Sequence, residues 1–92
     1  MSGPLDIGKQ RWRPYRLVAV EWEDSQRPES PWQWVDEFAI QEPIRCVSVG
    51  FVIAETKTAI AIAPNLGGNC DRTRACGIIR IPSSAIRNIF DL

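Results

Sequence analysis

Between Tyr15 and Glu23 the stretch YRLVAVEWE alternates with a period of two, Leu17, Ala19 and Glu21 on one side and Val18, Val20 and Trp22 on the other. Successive strand side chains point to opposite faces, so this predicts a strand with one buried face and places Trp22 in the core. EDSQRPESP then stacks acids, serines and prolines, which is loop chemistry. From Ile44, IRCVSVGFVIAE sets Val47, Val49, Phe51 and Ile53 against a smaller face of Cys46, Ser48, Gly50 and Val52. Glycine in mid-strand predicts a sharp bend or a close backbone approach. ETKT reads as a tight hairpin, and AIAIAP returns with Ile60 and Ile62 inward and the alanines outward. NLGGNCDRTRA is predicted as a loop and CGIIRIP as a strand with Ile79 and Ile81 inward. A turn at Pro82 to Ser84 then leads into a last short strand through Ile86, Ile89 and Phe90.

Inside the long connection, PESPWQWVDEF has the local grammar of a short helix. Ser30 suits the N-cap, Pro31 the first helical position, and Gln33 the place where a capping box wants Glu or Gln. Helical spacing puts Trp34, Val35 and Phe38 on one apolar stripe and leaves Trp32 off it. Two turns of helix do not stand alone in water, so Trp34 is expected to staple the helix to the core. Pro43 blocks its continuation.

The predicted fold class is therefore mainly β: a five-stranded SH3-like or Sm-like small barrel with a short helix in the long loop after the first strand. Closing the sheet would remove edges that otherwise aggregate. The competing architecture is a two-layer open sheet packed by the helix. Ninety-two residues make one domain with a single modest core, divided here into an N-terminal extension at 1–14, partly flexible, and a barrel domain at 15–92.

Charge changes the picture more than composition does. The chain has 11 basic and 11 acidic residues, but residues 21–42 hold seven of the acids and one base, an acidic block between two basic flanks. A neutral total gives little support to non-specific nucleic-acid binding, which draws on phosphate neutralisation. An acidic patch faces a basic partner more naturally. There is no histidine, which removes the commonest general base and metal ligand together. Ser83 and Ser84 thus have no base of that kind to activate them, and no carboxylate pairing pattern is recognisable, so a non-enzyme is expected. Cys46, Cys70 and Cys76 are an odd set, which argues for a reduced compartment and against both a disulfide framework and a four-ligand zinc site. No cofactor or metal is expected. No apolar run approaches a membrane span and no secretory signal pattern opens the chain, so the expected location is the cytoplasm.

Two candidate sites remain. The first is the acidic loop, where Trp32 and Trp34 with Glu29, Asp36 and Glu37 would contact a protein partner; Trp32, the odd one out, is the anchor. The second is Gly67, Gly68 and Asn69 with Arg72 and Arg74, in which glycines admit an anion to backbone amides and arginines supply forked donors for a nucleotide or nucleic acid. It lacks the Gly-Lys-Ser/Thr signature and the strand, loop and helix setting of a P-loop. A solvated hairpin tip is its bland counterpart. The N-terminal KQRWRPYR, which mixes bases with Trp12 and Tyr15, would track a single strand by stacking and charge or simply lead into the first strand.

VEWEDS, a tryptophan-bearing loop, RCVSVGFVI and GIIRIPSSAIRNI together resemble small proteins encoded by bacteriophages and prophages of Gram-negative bacteria. The likeness spans roughly residues 17–92 and rests on Trp22, Asp24 and Ser25, on Ser48, Val49 and Gly50, and on the Ile81–Pro82 step. It implies an origin and a small-barrel fold rather than an activity. The expected function is that of a non-catalytic phage-encoded protein in the cytoplasm of a bacterial host. It would interfere with a host process such as antiviral defence by occupying a host protein. The alternative is an Sm-like homo-oligomer that binds nucleic acid or sequesters a nucleotide signal.

Overall fold

A computed structural model describes residues 12–25, 30–69 and 71–92. It is mainly β. The strands are β1 (Leu17–Asp24), β2 (Ile44–Glu55), β3 (Ala59–Ala63), β4 (Asn65–Gly68), β5 (Thr73–Cys76), β6 (Ile79–Pro82) and β7 (Ile86–Asp91). Five of them form one antiparallel sheet in the order β6-β3-β2-β1-β7, and β4 and β5 form a separate two-stranded ribbon. The sheet is open, with β6 and β7 as unpaired edges.

Register shows why this sheet is not flat. Pro82, the end of β6, lies opposite Ala59, and its neighbour Ile60 lies opposite Glu55 at the C-terminal end of β2. Ile86, the start of β7, lies opposite Trp22, which lies opposite Cys46 near the other end of β2. From Cys46 to Glu55 a straight strand covers about 30 Å. The chain from Pro82 to Ile86 spans about 14 Å when fully extended, and here it contains a 3-10 turn, Ser83–Ala85. The sheet has to roll for so short a link to join its two edges. The Ser83 amide donates to the Thr58 carbonyl at 2.8 Å, fixing that link to the β2–β3 hairpin.

The concave side of the roll is the core. Val18 and Val20 of β1, Ile60 and Ile62 of β3 and Ile81 of β6 are fully buried, with Trp22, Val52, Ile79, Ala85 and Ile86 packed around them. Strand alternation therefore places Trp22, Ile60, Ile62, Ile79 and Ile81 as expected. The small face of β2 is the inward one. Cys46, Ser48 and Gly50 lie opposite Trp22, Val20 and Val18, leaving room for the larger β1 side chains, and the Trp22 Nε1–H donates to Ser48 Oγ at 3.0 Å. The alanines of β3 do not all face out: Ala63 is fully buried, because its backbone runs against Gly50. A Cβ built on Gly50 would stand 2.9 Å from the Ala63 carbonyl carbon and oxygen, so the mid-strand glycine marks a close backbone approach.

Two expectations are corrected. The predicted helix is a single 3-10 turn, Val35–Glu37, flanked by extended Trp34 (φ −70°, ψ 123°) and Phe38 (φ −73°, ψ 128°). NLGGNCDRTRA, expected to be a loop, is the β4–β5 hairpin. The ETKT hairpin forms as read, with Thr56 Oγ1 accepting from the Thr58 and Ala59 amides at 3.3 and 3.2 Å.

Ile62→Ala is expected to lower unfolding free energy by about 2–5 kcal/mol in urea denaturation, since it empties the centre of the core. Gly50→Val is expected to cost about 1–3 kcal/mol by forcing β2 from the Ala63 backbone; an unchanged denaturation midpoint would refute the close approach.

Candidate partner-binding surface

β1 and β2 pair up to Asp24 opposite Ile44, so the connection between them leaves and returns at one point of the sheet. From Ser30 to Pro43 every residue of it is exposed. Its hydrogen bonds are local: Ser30 Oγ donates to the Trp32 carbonyl at 3.1 Å, Gln33 Nε2 to the Ser30 carbonyl at 3.0 Å, and the Glu37 amide to the Trp34 carbonyl at 3.1 Å. The capping residues thus do not form a capping box. Gln33 reaches back to Ser30 as expected but meets its carbonyl, and Ser30 caps no amide.

The consequence for the tryptophans is large. Trp32 is 88% exposed and Trp34 77%, and Val35 and Ile40 stand as free of cover. Trp34 is therefore not a core residue, contrary to the helical expectation: without the helix there is no stripe to lay on the sheet. Trp32, Trp34, Asp36 and Glu37 come together on one projecting arm, while Glu29 lies outside the described residues.

At the second candidate site, β4 and β5 place Gly67 opposite Arg74 and Gly68 opposite Thr73. The tip is drawn inward by Asn69, whose Oδ1 accepts from the Asp71 and Arg72 amides, both at 2.9 Å. Those two amides are turned to a side chain rather than presented to an anion. Gly68 has φ 145°, and a Cβ there would fall on the Arg72 carbonyl, so the tight tip requires glycine. Arg72 and Arg74 are exposed and make no ion pair among the described residues. Cys76 is exposed on β5 and Cys46 half-buried on β2, while Cys70 lies outside the described residues. Among the described residues no three Cys, Asp or Glu side chains gather as a metal set, and no helix is long and apolar enough to cross a membrane.

Two further surfaces stand out, the first missed in the sequence reading and the second formed by residues of the KQRWRPYR stretch. One is the outward face of β2, where Val47 is 66% and Val49 51% exposed. The signal was present in the alternation itself, because the inside of a tightly rolled sheet has room for the smaller set of side chains. The other is a cleft beside the first strand. Trp12 lies tilted against Phe51 with ring centroids 6.4 Å apart, the Arg13 guanidinium stands 5.4 Å from the Trp12 ring centre, and Arg16 is clamped by Asp91 at 2.9 Å. Residues 12–14 of the N-terminal extension are thereby seated on the sheet. Arg16 already has a carboxylate, and Arg13 makes no ion pair among the described residues.

Comparison of the chain with protein-family models, with curated proteins and with solved structures returned no match.

Acrylamide quenching separates the tryptophans. Trp32→Phe with Trp34→Phe is expected to remove most of the readily quenched fluorescence, and Trp22→Phe to remove mainly the protected part. The reverse assignment would place the arm against the sheet.

Proposed function

We propose that the protein is a non-catalytic binding module, encoded by a phage or prophage, whose acidic tryptophan-bearing arm occupies a host protein in the bacterial cytoplasm and so interferes with a host process such as antiviral defence. The observation that carries this reading is the arm itself. Its described residues, 30–43, hold a single 3-10 turn, and so long a stretch with so little regular structure is uncommon in a small domain and most often functional or disordered. This one holds Trp32, Trp34, Val35, Phe38 and Ile40 in water beside Asp36, Glu37 and Glu42. Aromatic anchors dominate protein interfaces, and acidic groups at the rim steer a basic partner. The likeness to phage-encoded small proteins supports the origin.

The rolled sheet is read as an SH3-like or Sm-like small barrel short of closure. Supporting this are the β6-β3-β2-β1-β7 order and the 3-10 turn before the last strand. A second reading, an Sm-like oligomer that binds nucleic acid or a nucleotide, draws on the exposed Arg72 and Arg74. Its weakness is the inward use of the Asp71 and Arg72 amides by Asn69.

The test is capture of a host partner by the full chain. Trp32→Ala is expected to weaken capture about 30-fold or more, as at an interface hot spot, and charge reversal of Glu29, Asp36 and Glu37 to slow association. Capture unchanged in every variant would overturn the reading. Arginine-dependent, salt-sensitive nucleotide binding would favour the second.

A further inference from the structure

The cleft beside β1 has a volume of about 530 Å³, within the range of roughly 300–1,000 Å³ that small-ligand sites occupy. Trp12, Tyr15 and Phe51 give it ringed walls, and Arg13, Arg16 and Asp91 line it with charge. Backbone pairing holds these walls in place. The Tyr15 amide donates to the Trp12 carbonyl at 3.0 Å, closing the turn that lays Trp12 against Phe51. The Val52 amide donates to the Arg16 carbonyl at 2.8 Å and the Leu92 amide to the Leu17 carbonyl at 2.9 Å. Rings fixed in this way have little freedom left to lose when a ligand arrives. Trp12 belongs to no part of the buried core and keeps 43% of its surface open.

Charge and hydrogen bonding narrow the ligand. Arg13 and Arg16 are matched by Asp91 and by Glu55, whose Oε1 lies 3.9 Å from Arg16 Nη1. The cleft is therefore balanced and does not select a bare anion. Arg16 directs Nε and Nη2 to a single oxygen, Asp91 Oδ1, at 3.0 and 2.9 Å. Asp91 Oδ2 and Arg16 Nη1 make no hydrogen bond among the described residues, so one fixed ion pair offers an acceptor and a donor together. A hydrocarbon ring would use neither. The edge of a nucleobase carries both kinds of group, and its flat face stacks on aromatic side chains.

We propose that the cleft binds a nucleobase, stacked on the walls formed by Trp12, Tyr15 and Phe51 with its polar edge on the Arg16–Asp91 pair. The base comes either from a free nucleotide or from a single strand of nucleic acid. The site shares no residue with the tryptophan arm or with the Arg72 and Arg74 hairpin, so it goes beyond the proposed function and stands or falls separately from it.

The experiment titrates the purified full chain with adenosine and guanosine monophosphates and with a short single-stranded oligonucleotide. Ribose phosphate, which lacks the base, and phenyl phosphate, which has a ring without a polar edge, are the controls. The readout is the chemical shift of the Trp12 indole N–H and of the Tyr15 and Phe51 amides. The base-bearing probes are expected to move these signals at millimolar concentration, phenyl phosphate to bind more weakly, and ribose phosphate to leave them in place. Trp12→Ala is expected to weaken binding about 10-fold or more, the loss of one stacked base. Trp12→Phe, which keeps a ring, is expected to retain most of it, and unchanged amide signals from the core strands show that both variants are folded. Tighter, salt-sensitive binding of the oligonucleotide identifies a strand as the source of the base; equal affinities identify a free nucleotide. No response to any base-bearing probe, equal binding of either control, or binding indifferent to Trp12→Ala would each overturn the proposal.

Discussion

The four-residue step from Pro82 to Ile86 is the constraint on which the rest of the structure depends. It ties strand ends that pairing register would otherwise hold far apart, and the only way to satisfy both is to roll the sheet. From the roll follow the concave core of Val18, Val20, Ile60, Ile62 and Ile81, the small residues on the inner face of β2, and the absence of space for a side chain at Gly50. A chain this short has little apolar surface to bury, and rolling lets five strands share one interior rather than requiring a second layer.

The same roll leaves the larger β2 residues outside. In a flat sheet covered by a helix, Val47 and Val49 would be the natural core and Ser48 the solvent face. Here the curvature inverts that choice, and the Trp22 indole uses Ser48 as its hydrogen-bond acceptor. A buried polar tip on a large side chain needs such a partner, so the hydroxyl at this position does inside the fold what water would do outside it. The ion pairs Arg16–Asp91 and Arg87–Glu23, which fasten β7 to β1 and its approach, are solvent-facing and contribute little individually.

Much of this architecture was legible in the sequence, and the exceptions share a cause. Alternation identified β1, β2, β3 and β6 because period two is a local property, visible without knowing what lies opposite, whereas β7 was read from the apolar Ile86, Ile89 and Phe90 alone. It did not tell which face of β2 turned inward, since that depends on curvature set by residues 83–85, far along the chain. The helix around Trp34 failed for a related reason. Caps and stripe were present locally, but two turns persist only when docked, and no partner surface receives them. At the arginine site, glycines and arginines were read as a phosphate cradle, while the residue that governs the tip is Asn69, whose side chain claims the amides first. Trp32 was singled out because it broke a pattern; Trp34 joins it because the pattern was never realised.

The arm also shows how an apolar segment is kept from pairing indiscriminately. Pro31 and Pro43 bracket it, and Asp36 and Glu37 interrupt its hydrophobic run, features that discourage strand addition and aggregation. Because it departs and rejoins between the paired residues Asp24 and Ile44, the ladder on either side is indifferent to what lies between them. Lengthening such a loop carries only a slowly growing entropic penalty. The connection is in effect a cassette. Its sequence is free to diverge, or to be exchanged for another recognition segment, at a pace unrelated to that of the sheet that carries it, so kinship among such chains would be written in β1, β2 and the Ser83–Ala85 link, and difference in the arm.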